Sequence, residues 1–220
     1  MMDRLAIFPV SPILPQISGE TASAATHGVG CVLSVVGGIA LVRSALAAGD
    51  PLQTLGCAVY ASSAVALYGA STLSHSYGDP QRKSLFRMLD QVFIFVMIAG
   101  SFTPFAMTHM RTVLGWTLLA LMWMLTLVGV ITRIRLGRRP MEFVWYLPLA
   151  WLPVLTLGHV LMVTGLTGFI YVIAGGLAYM VGLWFYVNDH RHRYFHAVWH
   201  CWVIMGSGLH FLFHFQCVTM

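Results

Sequence analysis

Apolar residues run through this chain in long blocks, each ended by a short cluster of charge, glycine or proline. The blocks fall near 25–47, 52–76, 89–108, 113–133, 143–162, 166–187 and 196–218. About 20 apolar residues cover the hydrocarbon core of a bilayer as a helix. The pattern therefore predicts an all-α membrane protein, a single domain over 1–220 built as a seven-transmembrane-helix bundle. Gly49-Asp50-Pro51, Gly78-Asp79-Pro80, the basic run to Arg138-Arg139-Pro140 and Asn188-Asp189 supply the breaks. The least punctuated break is Thr164-Gly165, which carries no charge. Without a turn there, the fifth and sixth blocks would merge into a run too long for one crossing.

Composition agrees with the pattern. Hydrophobic residues make up 58% of the 220 positions and charged residues only 9%, with a mean hydropathy of +0.79. A soluble domain carries about a quarter charged residues, so a chain this apolar takes the bilayer as its solvent. Residues 1–19 read as a short cytosolic segment. Arg4 is followed by an apolar run, but Pro9, Pro12 and Pro15 interrupt it and no small-residue cleavage site stands out. Cys31, Cys57, Cys201 and Cys217 show no CxxC spacing and read as small core residues.

Charge then sets orientation. Ten of the twelve Lys and Arg lie in the N-terminal segment and the second, fourth and sixth loops, leaving only Arg43 and Arg111 on the other side. Positive residues stay cytosolic, which puts the N-terminus in the cytosol and the C-terminus outside. Residues that hug helix ends form no dense basic face, so the net charge of +5 does not indicate nucleic-acid binding.

Ionisable groups inside a membrane are costly and mark function by default. The second block ends in Ser71-Thr72-Leu73-Ser74-His75, the third begins at Asp90, and the seventh opens with His196-Ala197-Val198-Trp199-His200. Residues four apart share a helical face, as His196 and His200 do, and Ser71 and His75. The predicted topology brings His75, Asp90, His196 and His200 to one cytoplasmic depth. Three imidazoles with an open position suit a catalytic zinc, and a nitrogen-rich set suits zinc better than magnesium or calcium. His210 and His214 continue the same stripe of the seventh helix, but at about 1.5 Å per residue His210 lies roughly 20 Å from His196. These two read as a packing or water-lined strip, with a second metal or a proton path as the alternative. Cys201 projects away from the stripe. A lone His159 reads equally as a hydrogen bond to a neighbouring helix. Glu20 and His27, seven apart on one face, read as a structural contact or as groups that orient a histidine ligand.

These residues resemble successive blocks of the hemolysin III proteins. The blocks are Glu20 with Thr26-His27-Gly28-Val29-Gly30, the Ser71–His75 stretch, and Asp90 with Ala99-Gly100-Ser101-Phe102-Thr103-Pro104-Phe105. They continue with Gly175-Gly176-Leu177-Ala178-Tyr179, then His196 to His200 with Gly206-Ser207 and His210. The match runs in order from about 20 to 215. That family belongs with the progestin and adipoQ receptors, which include the adiponectin receptors, and with a superfamily of membrane hydrolases that includes alkaline ceramidases. One departure is Ser74, where the family usually has an aromatic. The resemblance implies zinc held by His75, His196 and His200 in a bacterial inner membrane. The expected chemistry is hydrolysis of a lipid amide or ester, with Asp90 as general base and then acid and Ser71 bonding the water or oxyanion. A membrane lipid is the expected partner. The alternatives are a non-catalytic, zinc-stabilised sensor or receptor in membrane lipid homeostasis, and a pore-forming hemolysin.

Overall fold

The computed structural model describes residues 14–137 and 143–219, with side chains from residue 19 onward. Six long α-helices dominate: α1 (Leu14–Ala48), α2 (Pro51–Ser76), α3 (Pro80–His109), α4 (Val113–Leu136), α6 (Leu157–Val187) and α7 (Phe195–Cys217), with a five-residue α5 (Leu147–Trp151) before α6. Turns of 3-10 helix at Phe143–Tyr146 and Leu152–Thr156 flank α5, and another at Asp189–Arg191 precedes α7.

The helix starts follow from their caps. Asp50 accepts from the amides of Leu52 and Gln53, and Asp79 from that of Arg82. Each is followed by proline at the first helical position, where a missing N–H costs nothing. Gly49 and Gly165 hold φ of 77° and 66°, a left-handed backbone that suits glycine. Gly165 kinks the stretch assigned to α6, at the Thr164-Gly165 break read from the sequence.

Several expected boundaries move. α1 begins at Leu14, well before residue 25, so Gly19 and Glu20 lie on the helix; residues 1–13 lie outside those described. α3 begins at Pro80, which places Arg82, Lys83 and Arg87 on its first turns. The fifth block is not one smooth helix. Pro148 and Pro153 divide it into 3-10 and α pieces, because proline removes amide donors from the ladder.

Four stretches are long and apolar enough to cross a membrane: Gly19–Ala48, Pro80–His109, Val113–Leu136 and Phe143–Val187, the last kinked at Gly165. α2 and α7 have the length but more Ser, Thr and His. α1 presents Val29, Val32, Val36 and Ile39 outward, each more than half exposed. Contiguous apolar surface of this kind is untenable in water, and the chain is an integral, multi-pass membrane protein.

Packing places α1 against α2 and α7, α2 against α3, α3 against α4, and α6 against α7. One core cluster, around Phe95, Phe102, Phe105, Met122 and Phe213, joins α3, α4 and α7. A second, around Leu41, Cys57, Tyr60, Leu67 and Tyr68, joins α1 and α2. At the end of the bundle away from Glu20, Arg111 donates to Asp50 and ties the α1–α2 turn to the α3–α4 turn. The Arg111 guanidinium holds the Asp50 carboxyl below its usual range, despite a smaller opposing effect of desolvation. That tie is therefore formed at neutral pH and lost as pH falls through the depressed pKa.

α2 and α3 touch backbone to backbone. A Cβ on Gly56 would stand 2.8 Å from Pro104 Cα, whereas one on Gly208, on the outer face of α7, would meet nothing within 4 Å. Gly56→Ala is expected to cost about 1–3 kcal/mol through forced helix separation, read as a lower melting temperature in detergent. Gly208→Ala should be neutral or slightly stabilising.

Candidate metal centre

Three helices build the centre. α2 ends in Ser71 and His75, one turn apart, and α7 begins with His196 and His200, also one turn apart. α1 faces both with Glu20, Ser23 and His27, whose spacings of three and seven keep them on one side of the helix. Ligand-type nitrogens of His75, His196 and His200 all lie within 4.8 Å of one another. The ring centroids are 5.1 Å apart for His75–His196, 5.1 Å for His75–His200 and 4.8 Å for His196–His200.

Each of the three rings is held through its Nδ1. His75 Nδ1 lies 2.8 Å from Glu20 Oε2, and His196 Nδ1 lies 3.0 Å from Asp189 Oδ2. His200 Nδ1 lies 3.2 Å from the Ser23 carbonyl and 3.2 Å from Thr26 Oγ1. A carboxylate or carbonyl can only accept, so these contacts put the proton on Nδ1 and leave Nε2 with a lone pair. His200 is fully buried, and its Nε2 has no protein partner. An orphaned imidazole nitrogen in a dry site is costly, and a cation satisfies it. Carboxylate-backed histidine is the usual support of a metal ligand. In a tetrahedral zinc site with bonds of about 2.0–2.1 Å, the nitrogens would sit roughly 3.4 Å apart. Small ring movements close the observed cluster to that size. The residues present fit a metal of the zinc type.

His27 stacks on His200 with centroids 3.4 Å apart and planes 12° from parallel, and its Nδ1 lies 2.6 Å from Ser71 Oγ. Ser71, fully buried, also lies beside the Asp90 side chain. Ser71 has one proton. When it donates to Asp90, His27 must donate to Ser71, giving a chain His27–Ser71–Asp90 beside the three-histidine cluster.

Glu20 does more than meet His75: Lys83 Nζ lies 2.9 Å and Arg87 Nη2 3.7 Å from its other oxygen, which pins the start of α3 to α1. All of this opens on a chamber of about 1640 Å³. Glu20, His75, Asp90 and His196 line one end, and Val160, Val172 and Phe213 line the deeper part. Small-molecule pockets run about 300–1,000 Å³, so this one is large enough for a lipid with its acyl chain.

Every site residue singled out in the sequence lies in this region. The sequence reading missed Asp189, Ser23 and Thr26. Asp189 stood only as loop punctuation, although a carboxylate seven residues before His196 was a usable signal; the Ser23 carbonyl left no signal at all. His210 and His214 are separate from the cluster: His210 Nε2 lies 3.4 Å from the Val172 carbonyl and His214 Nε2 2.9 Å from that of Ser101. His159 bonds the His109 carbonyl at 2.8 Å, a link between helices. Cys201 is exposed on the outer face of α7.

Known proteins share this pattern over most of the chain. The haemolysin-III-related family profile matches residues 15–211. Hemolysin-3 of Bacillus cereus is 36% identical over 197 residues, 89% of this chain and 90% of that protein. The Hemolysin-3 homolog of Bacillus subtilis strain 168 is 33% identical over 208 residues, 93% of this chain and 97% of that protein. More distantly, the human monocyte to macrophage differentiation factor is 24% identical over 204 residues, 90% of this chain and 83% of that protein. With the profile and two relatives of this similarity spanning nearly its whole length, the chain belongs to the haemolysin-III-related family.

Proposed function

We propose that this protein is a zinc-dependent hydrolase of a lipid amide or ester. In this reading seven helices cross a bacterial inner membrane, the fifth and sixth divided at Gly165, with the N-terminus and the metal site on the cytosolic side. The topology rests on the placement of Lys and Arg at alternate helix ends. The catalytic reading rests on one observation: three imidazoles converge with their Nδ1 atoms anchored, beside Asp90, in a chamber of lipid size.

The chain's own groups divide the work. Glu20, Asp189 and the Ser23 carbonyl fix the tautomers of His75, His196 and His200 and leave the Nε2 of each with a lone pair to bind a metal. Zinc held there would supply Lewis acidity and lower the pKa of a water to about 7. Asp90 accepts the water's proton and returns it to the leaving group. Ser71, held by His27, orients the Asp90 carboxylate. The apolar chamber takes the acyl chain and keeps bulk water from the reacting carbonyl.

The same anchored histidines would serve a non-catalytic sensor, with the metal clamping α2 to α7 and lipid occupancy moving the helices. Asp90 separates the two readings, because a clamp has no use for a base. Nothing in the geometry specifically favours a pore.

Metal analysis of purified protein should find about one zinc per chain in the wild type and almost none in His196→Ala. Equal zinc in both would remove the basis of the reading. Asp189→Asn should weaken zinc binding by about 10–100-fold while the bundle still folds. Asp90→Asn should keep zinc and melting temperature but lose hydrolysis of a lipid amide or ester by about 10²–10⁴-fold. Unchanged turnover in that variant would exclude Asp90 as the base, and no turnover by the zinc-loaded wild type on a broad amide and ester panel would favour the sensor.

A further inference from the structure

Most arginines here sit at helix ends with their heads outward; Arg43, Arg82, Arg87, Arg111 and Arg135 are all exposed. Arg133 is the contrary case. It lies in the last turn of α4, yet is only 5% exposed. Its Nε donates to Gln91 Oε1, and Nη1 donates to the Gly137 carbonyl at 2.8 Å. Tyr146 Oη braces the same spot by donating to the Gln91 carbonyl at 3.3 Å.

Among the described residues the charge has no counter-ion. A guanidinium carries five N–H donors, and two are used by Gln91 and Gly137. Among the described residues no carboxylate lies within ion-pairing distance of Arg133. Glu20 faces His75, Lys83 and Arg87; Asp50 faces Arg111; Asp189 faces His196. Asp90 lies beside Ser71. The carbonyl end of α4 offsets roughly half a charge at most. Burying an unpaired cation costs several kcal/mol, and topology asks only for positive charge near the helix end, where an outward head would serve as well. Something must be gained by turning it in.

What it turns toward is the chamber. Arg133, Gln91 and Tyr146 all line it, and Gln91 directly follows Asp90 on α3. Arg133 therefore lines the same chamber as the candidate base, on the same helical level. A planar, multi-donor cation is suited to bidentate recognition of carboxylate or phosphate.

We infer that Arg133 is the anion-binding subsite of this chamber, and that the lipid it takes carries an acidic head, carboxylate or phosphate, close to the bond processed at the three histidines. The inference rests on the hydrolase reading for the bond, but the head-group preference stands on Arg133 alone. Two lipid amides with one acyl chain separate the two ideas: N-oleoylglycine, with an acidic head, and N-oleoylethanolamine, with a neutral one. Binding to the zinc-loaded full-length protein in detergent can be followed by tryptophan fluorescence. The wild type should bind the acidic amide at least about tenfold more tightly, a difference of about 1.4 kcal/mol. In Arg133→Met and Arg133→Gln the preference should fall to within about twofold, with zinc content unchanged and the unliganded melting temperature equal or higher, since an unpaired buried charge has been removed. Arg133→Lys should keep part of the preference.

Equal binding of the two amides by the wild type overturns the inference, whatever the variants do, and so does an undiminished preference in either neutral variant. Millimolar inorganic phosphate raising the wild-type melting temperature as much as the acidic amide does would assign the site to a free anion and overturn the lipid assignment. Hydrolysis of both amides at similar rates would leave the proposed function standing and this inference refuted.

Discussion

The interaction on which the rest of the structure depends is the contact between the Nδ1 atoms of three histidines and the acceptors that hold them. In a medium of low dielectric an imidazole cannot be left to find water, and each polar group must be partnered inside the protein. Glu20 and Ser23 answer this from α1, and Asp189 from the turn before α7. The consequence reaches beyond the site. α1 must lie against both α2 and α7 for its polar face to meet them, and that is the packing observed. Glu20 then spends its second oxygen on Lys83 and Arg87, so α3 is fixed to the same point. Four helices are thus placed by the solvation needs of a few buried groups.

Van der Waals packing closes what those contacts begin. Small residues let helices approach in lipid, where apolar burial gives no driving force between them. Gly56 against Pro104 and Gly100 against Ser63 bring α2 and α3 together. The two core clusters lie on either side of the α2–α3 pair, and the chamber runs beside them along α3, α6 and α7. With α1, α2, α3 and α7 joined at the site, α4 packs on α3 and α6 on α7. The outward faces of α4 and α6 are the most apolar, with Leu127, Val128, Leu177 and Met180 all exposed.

Much of this was legible in the sequence because a membrane makes the code coarse. Apolar blocks and their breaks match six long helices, and the kink at Gly165 falls at the break where length alone demanded a turn. The His75, His196 and His200 set was legible because charge placement assigned depth and the four-residue spacing assigned faces. The start of α1 was missed because the bilayer sets the minimum length of a helix and not its maximum: the helix projects past the apolar block far enough to carry Glu20. Asp189 was missed because a residue in a polar loop resembles punctuation, and only folding shows that its carboxylate returns to His196. Backbone acceptors such as the Ser23 carbonyl have no residue-type signature at all. Arg133 was read as one more positive charge, because sequence reports that an arginine lies near a helix end and not which way its head turns.

That direction matters for how the site should be understood. The helices that are too polar to stand out as membrane spans, α2 and α7, are those that carry His75, His196, His200, Ser71 and the Tyr68–Ser207 hydrogen bond, which Tyr179 of α6 joins. Their polarity is tolerable only because other helices shield it. α1 and α3 supply the shielding on one side and α6 on the other, α1 and α6 each with an apolar outer face. Polar residues of α2 and α7 are therefore turned inward by the same rule that turns Val29 and Val32 of α1 outward. An inward polar face satisfied entirely by protein would make a rigid plug. Here it is satisfied incompletely among the described residues, at the His200 Nε2, while the Arg133 guanidinium lines the chamber with no carboxylate beside it among those residues. The first asks for a cation and the second for an anion, and both belong to the region around one chamber. A lipid whose acidic head meets Arg133 while its amide or ester carbonyl reaches the histidines would satisfy both demands at once, and its acyl chain would fill the apolar remainder.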